Sequence, residues 1–318
     1  MSNWDRRYAE QVALLVEILP TLALEPRFAL KGGTAINLFE RDLPRLSVDI
    51  DLTWLSCGEF AEDSRLIAEG LSTLADALRA APLRLQVQTS AAQGAPVNRI
   101  IASRGRARVQ IETSPVMRGA VHPVRTMTVQ PAVEDEFGFA QAQVLHSADL
   151  YAGKLAATVS RQHPRDLFDM GPLLEQDQLD AELWRTFLVY LTSSPKPAAD
   201  MLAPGEPQGF AEIFAAHFRG MTATPTSADQ LLAIRGRLLR KMAVLLDDTS
   251  CRFLLSVERE APDFTLIGLP QAATLPAIRR KLDNLNARSD KKREADYRKL
   301  EETLGSLQRD GVAHRGNT

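Results

Sequence analysis

The sequence predicts an α+β chain: an N-terminal half built on a mixed sheet, followed by an all-α C-terminal half. Three observations predict it. A strand-turn-helix pattern over residues 28–40 leads into a strand over 48–54. Apolar and polar residues alternate at 83–88, 97–101 and 107–112, the period of half-buried strands. Beyond about residue 145 the apolar residues take helical spacing almost throughout.

The 318 residues are 45% apolar and 25% charged, an ordinary globular composition with length enough for two domains. These are expected at 1–145 and 146–310, with a frayed tail over 311–318. A net charge of −2 argues against a protein that coats nucleic acid non-specifically. Cys57 and Cys251 have no metal-ligand spacing and suggest no disulfide framework, which points to a reduced cytoplasmic location. The N-terminus has no apolar signal region and no run approaches a membrane span, so neither secretion nor membrane insertion is expected.

In chain order, Val12, Leu15, Val16, Ile18 and Leu19 have helical spacing over residues 5–20, closed by Pro20. Phe28-Ala29-Leu30 reads as a short strand and Ala35–Phe39 as the first turns of a helix, which leaves Gly32-Gly33-Thr34 at the turn. A loop through Pro44 precedes the acidic strand. Residues 58–80 read as a long amphipathic helix with Phe60, Leu66, Ile67, Leu71, Leu74 and Leu78 on one side. Gly105 marks a hairpin between two alternating runs. Helices follow at 147–161, 164–176, 179–193, 209–219, 227–247, 249–260, 272–287 and 289–309, the last with Tyr297, Leu300, Leu304 and Leu307 as its apolar seam.

The chemistry is concentrated in two blocks. In the first, Asp49 and Asp51 alternate with Val48, Ile50 and Leu52, so the two acids share one side of a strand. Adjacent carboxylates repel, and a divalent cation such as Mg²⁺ is the usual reason to keep them, taking one or two protein carboxylates plus substrate phosphates. Gly32, Gly33 and Thr34, at a strand-to-helix turn, offer backbone N–H groups and a hydroxyl to phosphate. Arg45 and Ser47 precede the acids, and Arg45 suits bidentate phosphate contact. Each part alone has a plainer reading: Thr34 as an N-cap, two solvated acids, and Glu112 in Val109-Gln110-Ile111-Glu112 as a surface glutamate. Glu112 is otherwise the third acid, a metal ligand or general base.

The second block is Lys154-x-x-Ala157-x-x-x-Arg161-x-x-x-Arg165-Asp166-x-x-Asp169. Lys154 lies in a mostly apolar helix and wants an anionic partner such as a triphosphate. Asp166 and Asp169 share the first turn of the next helix, where acids suit the macrodipole. Surface salt bridging is the competing reading for Arg161, Asp166 and Asp169.

Together these blocks resemble the AbiEii/AbiGii-type toxins of the polymerase-β-like nucleotidyltransferase superfamily. Leu275–Leu285 is similar to a recurrent segment there. The resemblance implies a polymerase-β-like N-terminal domain and a toxin of a toxin–antitoxin pair, with its antitoxin encoded alongside. It also implies one or two Mg²⁺ ions on Asp49 and Asp51, a nucleoside triphosphate as substrate, and nucleotide transfer to RNA, in particular the tRNA 3′ acceptor end. Asp49, Asp51, Glu112, Lys154 and Asp169 are then the catalytic candidates, and Gly32, Gly33, Thr34, Arg45, Ser47 and Lys154 the nucleotide-binding ones. Arg235, Arg237, Arg240, Lys241 and 279–281 form basic helix segments that favour an RNA acceptor. The alternatives are transfer to a protein or small molecule, and a catalytically silent binding module.

Overall fold

The computed structural model describes residues 4–90 and 96–315. The chain divides into two compact units, Met1–Leu150 with Arg219–Pro225, and Tyr151–Phe218 with Thr226–Thr318.

The first unit is built on seven strands, β1 (Phe28–Lys31), β2 (Asp49–Trp54), β3 (Gln86–Ser90), β4 (Arg99–Arg104), β5 (Ala107–Thr113), β6 (Arg125–Thr128) and β7 (Gln141–Val144). Their order is β3-β4-β5-β2-β1-β7-β6. β2–β5 and β1–β7 are parallel and the other neighbours antiparallel, so the sheet is mixed. Gly105, at φ 59, makes the tight turn of the β4–β5 hairpin, a backbone region that favours glycine.

One face of this sheet is core. Ile50, Leu52, Ile100, Ala102, Val109 and Ile111 are fully buried. On this side lies helix α1 (Arg6–Ile18), started by the Asp5 side chain accepting from Arg7 N–H. Arg104 clamps Glu17 of α1 with two bonds of 2.6 Å. Helix α2 (Gly32–Ala35) continues as a π-helical turn over Ile36–Glu40. Helix α3 (Phe60–Ala80) buries Ile67, Leu71, Leu74 and Leu78 as the periodicity predicts, but Phe60 is 51% exposed. Asp63 and Ser64 are buried instead. Asp63 accepts from Trp54 Nε1 at 3.1 Å and pairs with the buried Arg118, so its charge is compensated where it is buried. A short α4 (Pro131–Phe137) separates β6 from β7.

The second unit is helical: α5 (Ser147–Arg161, its first turn still in the first unit), α6 (Pro164–Glu175), α7 (Ala181–Thr192), α8 (Ala198–Leu202), α9 (Phe210–His217), α10 (Ala228–Leu245), α11 (Asp248–Glu258), α12 (Pro276–Asn286) and α13 (Asp290–Arg315). Ser227 and Gln230 close a reciprocal capping box on α10. Leu167, Phe210, Phe214, Phe218 and Leu231 form one apolar cluster. On α13, Leu300 and Leu304 of the expected seam are buried. Residues 311–315 of the expected tail continue α13 as helix, and 316–318 lie outside the described residues. Among the described residues no helix is long and apolar enough to cross a membrane, and Cys57 and Cys251 form no disulfide.

Candidate active site

Strand β2 places its two acids on the face opposite the core. Asp49 and Asp51 are half-buried and alternate with buried Ile50 and Leu52. The ladders extend this face to both sides. Asp51 is registered against Lys31 of β1 and against Glu112 of β5, and Asp49 against Gln110. Partners in a ladder point the same way and lie about 4.8 Å apart. Asp49, Asp51 and Glu112 therefore form a three-carboxylate group on two neighbouring strands.

Glu112 is held from the far side. Arg99, its partner in the β4–β5 ladder, donates from Nε at 3.2 Å and lies 3.1 Å away through Nη2. Gln110 Nε2 donates at 2.7 Å. All three contacts fall on Oε2, which leaves Oε1 outside that network. On the other side of Asp51, burial pushes the Lys31 ammonium's pKa down, while Asp51 and Glu112 act to hold it up. Lys31 thus offsets part of the acids' mutual repulsion.

The glycine turn lies against the same carboxylates. Gly32 has φ 75, and a Cβ added there would overlap Asp51 Oδ2. A Cβ on Gly33 would come within 2.7 Å of Arg45 Nη2 and 2.9 Å of Ser47 Oγ. Backbone conformation and close approach together call for glycine at Gly32, while at Gly33 a Cβ would press on the Arg45 and Ser47 side chains. Thr34 Oγ1 donates its proton to the Asp49 carbonyl at 2.5 Å and accepts from the Ser47 hydroxyl at 3.1 Å. Asn37 Nδ2 donates to Gly33 O at 2.9 Å. Thr34 therefore ties the turn to the acidic strand. Arg45 is 2% exposed and donates to Leu46 O at 2.9 Å. The backbone beside it is fastened by an Arg45–Thr222 bridge and by Leu46 N–H to Met221 O at 2.8 Å. Residues 219–225 thus return from the helical half of the sequence to the first unit, an excursion the sequence does not announce.

Within the second unit, Lys154 is 7% exposed between two acids, 3.1 Å from Asp166 Oδ1 and 2.9 Å from Asp169 Oδ2. Arg161 adds bonds of 2.5 and 2.9 Å to Asp166. Burial alone would raise the Asp166 pKa, but Lys154's charge and Arg161's hydrogen bond outweigh it and hold the carboxyl well below the usual range. The spacing of the sequence block corresponds to one charge-balanced cluster in which Lys154, Asp166 and Asp169 are buried and Arg161 reaches Asp166 from an exposed position.

The basic helix segments divide. Arg235 spends its guanidinium on Gln162, Glu206 and the carbonyls of Pro204 and Gly205. Lys281, 4% exposed, donates to the carbonyls of Ser194 and Lys196 at 3.0 Å each. Lys241 pairs with Asp177. Arg237, Arg240, Arg279 and Arg280 are exposed. The sequence places Lys31 in the glycine motif and Gln110 on the Glu112 side of its strand without giving either a role, and passes over Arg99; strand register sets Lys31 and Arg99 beside the acids, which alternation alone does not supply.

The first unit thus sets a glycine turn and paired acids on one face of a mixed sheet, and the second unit is helical. The family model of the AbiEii nucleotidyl transferase toxins, of type IV toxin–antitoxin systems, matches residues 13–310. The chain belongs to the AbiEii nucleotidyltransferase toxin family. It is similar in structure to MenT4, a nucleotidyltransferase toxin from Mycobacterium tuberculosis H37Rv, with a TM-score of 0.57 and 15% identity, covering 89% of this chain and 94% of that one. At that identity the likeness speaks for the α+β fold. No curated protein sequence matches the chain. Membership makes the chain an enzyme and implies a nucleotide substrate, a divalent metal and an antitoxin partner. Asp49, Asp51 and Glu112 fit such a metal, because an oxygen-only donor set without thiol or imidazole suits a hard cation.

Proposed function

We propose that this toxin transfers a nucleotide from a nucleoside triphosphate to RNA, at the tRNA 3′ acceptor end, with Mg²⁺ as its metal. The observation that carries the reading is the register of Asp51 against Glu112, which gathers three carboxylates on one open sheet face. Asp49 and Asp51 hold one or two ions, which when bound supply Lewis-acid stabilisation of the charge at the reacting phosphate. Gly32 and Gly33 bring backbone N–H groups close to the acids and receive the triphosphate's oxygens. Thr34 holds the turn on β2 through Asp49 O, while Arg45 and Ser47, packed under Gly33, keep that turn closed and cationic. Glu112, anchored through Oε2, keeps Oε1 to take the proton of the attacking hydroxyl. In the helical unit Asp169 orients the Lys154 ammonium, the candidate phosphate contact, and loss of either lowers activity. The reading places the toxin in the cytoplasm, with a separate protein as its antitoxin.

The test is incorporation from each of the four α-labelled nucleoside triphosphates into total tRNA, by wild type and Asp49→Ala. Wild type labels RNA with at least one nucleotide and the variant with none. Label in the protein or small-molecule fraction, with RNA unlabelled, overturns the acceptor assignment.

A further inference from the structure

The open face that carries the acids does not stop at them. Beyond Glu112, the ladders continue through β5 and β4 to the edge strand β3. In register, Glu112 faces Arg99 and then Ser90; Gln110 faces Ile101 and then Gln88; Arg108 faces Ser103 and then Gln86. Three strand spacings separate Asp51 from Ser90, about 14 Å. The four residues from Glu112 to Arg108 add about 13 Å along β5. Gln86, Gln88 and Arg108 are exposed, and Arg99, Ile101, Ser103 and Ser90 are half-exposed. The opposite face of the same strands is the buried core of Ile100, Ala102, Val109 and Ile111.

The composition of this extension is selective. Among the described residues its single acid is Glu112, already engaged by Arg99 and Gln110. The rest is amides, hydroxyls, two arginines and one isoleucine. A face meant only to be wet has no need to exclude Asp and Glu in a chain with 40 of them. Amides and hydroxyls that both donate and accept match ribose 2′-hydroxyls and base edges, and arginine matches phosphate. Aromatic stacking platforms are missing among these residues, so recognition falls to hydrogen bonds and charge.

We propose that the β5–β4–β3 face is the acceptor platform, receiving the single-stranded end of the RNA and leading its terminal hydroxyl to the acids. The proposal rests on the reading of the acceptor as RNA. Its occupant follows from charge complementarity and from continuity with the carboxylate group along the same ladder rows. Gln88 and Gln86, at the sheet edge, would lie along the incoming strand, and Arg108 would meet its backbone.

The experiment is steady-state labelling of purified tRNA with varied RNA and varied nucleoside triphosphate. Gln88→Glu and Gln86→Glu each raise the KM for RNA about three- to tenfold by placing a carboxylate against phosphate at close range. The KM for the nucleotide stays unchanged. Gln88→Lys lowers the KM for RNA, an opposite response that misfolding does not produce. Arg108→Ala reduces the slope of log affinity against log salt by about one. If wild type labels RNA and the Glu and Lys variants share its KM for RNA, the platform is wrong and the nucleotidyltransferase reading stands. If wild type labels only protein or a small molecule, the platform falls together with the RNA acceptor assignment, while nucleotidyl transfer stands.

Discussion

Asp51 and Glu112 stand directly opposite each other across the parallel β2–β5 ladder, two carboxylates where a sheet ordinarily pairs opposite charges or apolar side chains. Like charges so placed cost stability, up to about 1 kcal/mol. Asp51→Asn removes the repulsion and the metal ligand together. Nucleotide transfer falls to background, while thermal stability without metal is equal to or above that of wild type by up to about 1 kcal/mol. Added Mg²⁺ raises the wild-type melting temperature by selective binding to the folded state and leaves that of the variant unmoved. Chelation with EDTA abolishes transfer by wild type, and readdition of Mg²⁺ restores it.

Gly32 and Gly105 separate backbone strain from site chemistry. Both have positive φ, but nothing lies within 4 Å of a Cβ at Gly105, whereas one at Gly32 meets the Asp51 carboxylate. Gly105→Ala costs about 1–2 kcal/mol of stability through its backbone alone and keeps activity. Gly32→Ala pays the same strain and also displaces Asp51, so transfer is lost at temperatures where the protein remains folded. Circular dichroism melts alongside labelling assays check both.

Lys154 neutralises two buried acids in the helical unit. Lys154→Met removes the ammonium from between Asp166 and Asp169, which costs about 3–5 kcal/mol. A double variant, Lys154→Met with Asp169→Asn, recovers part of that loss because one buried negative charge is gone. Urea melts of the single and double variants show the recovery, and neither variant recovers transfer.

His163 caps α6 by accepting Arg165 N–H at Nδ1, 3.2 Å away. Burial and then the Arg165 charge push its pKa down to about 4, against about 6.5 in an unfolded chain. Between those values the unfolded state binds more protons than the folded one, so stability rises with pH. The contribution is full above about pH 6.5 and is lost as pH falls through about 4. His163→Asn keeps a cap and flattens the dependence of melting temperature on pH across that window. An unchanged slope would assign the acid sensitivity elsewhere, with Asp166 acting only below about pH 4.

The acids and the glycine turn were legible because each is local. Alternation with Ile50 and Leu52 puts Asp49 and Asp51 on one face whatever the neighbouring strand, and Gly-Gly-Thr between a strand and a helix reads as a turn. The buried Lys154 was legible from the apolar helix around it. What eluded the sequence depends on contacts between distant segments. Lys31 and Arg99 join the acids only through strand register. The return of residues 219–225 beside Arg45 is a backbone bridge without a side-chain signature. Strands β6 and β7 are four residues each, too short to show a period. The exposed Phe60 and buried Asp63 trade places because Arg118 and Trp54 supply Asp63 with partners, which helical periodicity alone cannot foresee. Arg235 and Lys281 read as surface charge and turned out to stitch loops through backbone carbonyls.

The central claim is nucleotidyl transfer at the face shared by Asp49, Asp51 and Glu112, and paired labels test it most directly. Wild type and Asp51→Asn are incubated with RNA and the same nucleoside triphosphate, labelled once at the α-phosphate and once at the γ-phosphate. The expected result is α-label retained in RNA, γ-label released as pyrophosphate, and neither with the variant. Retention of the γ-label in the acceptor, or equal α-labelling by Asp51→Asn, would contradict it.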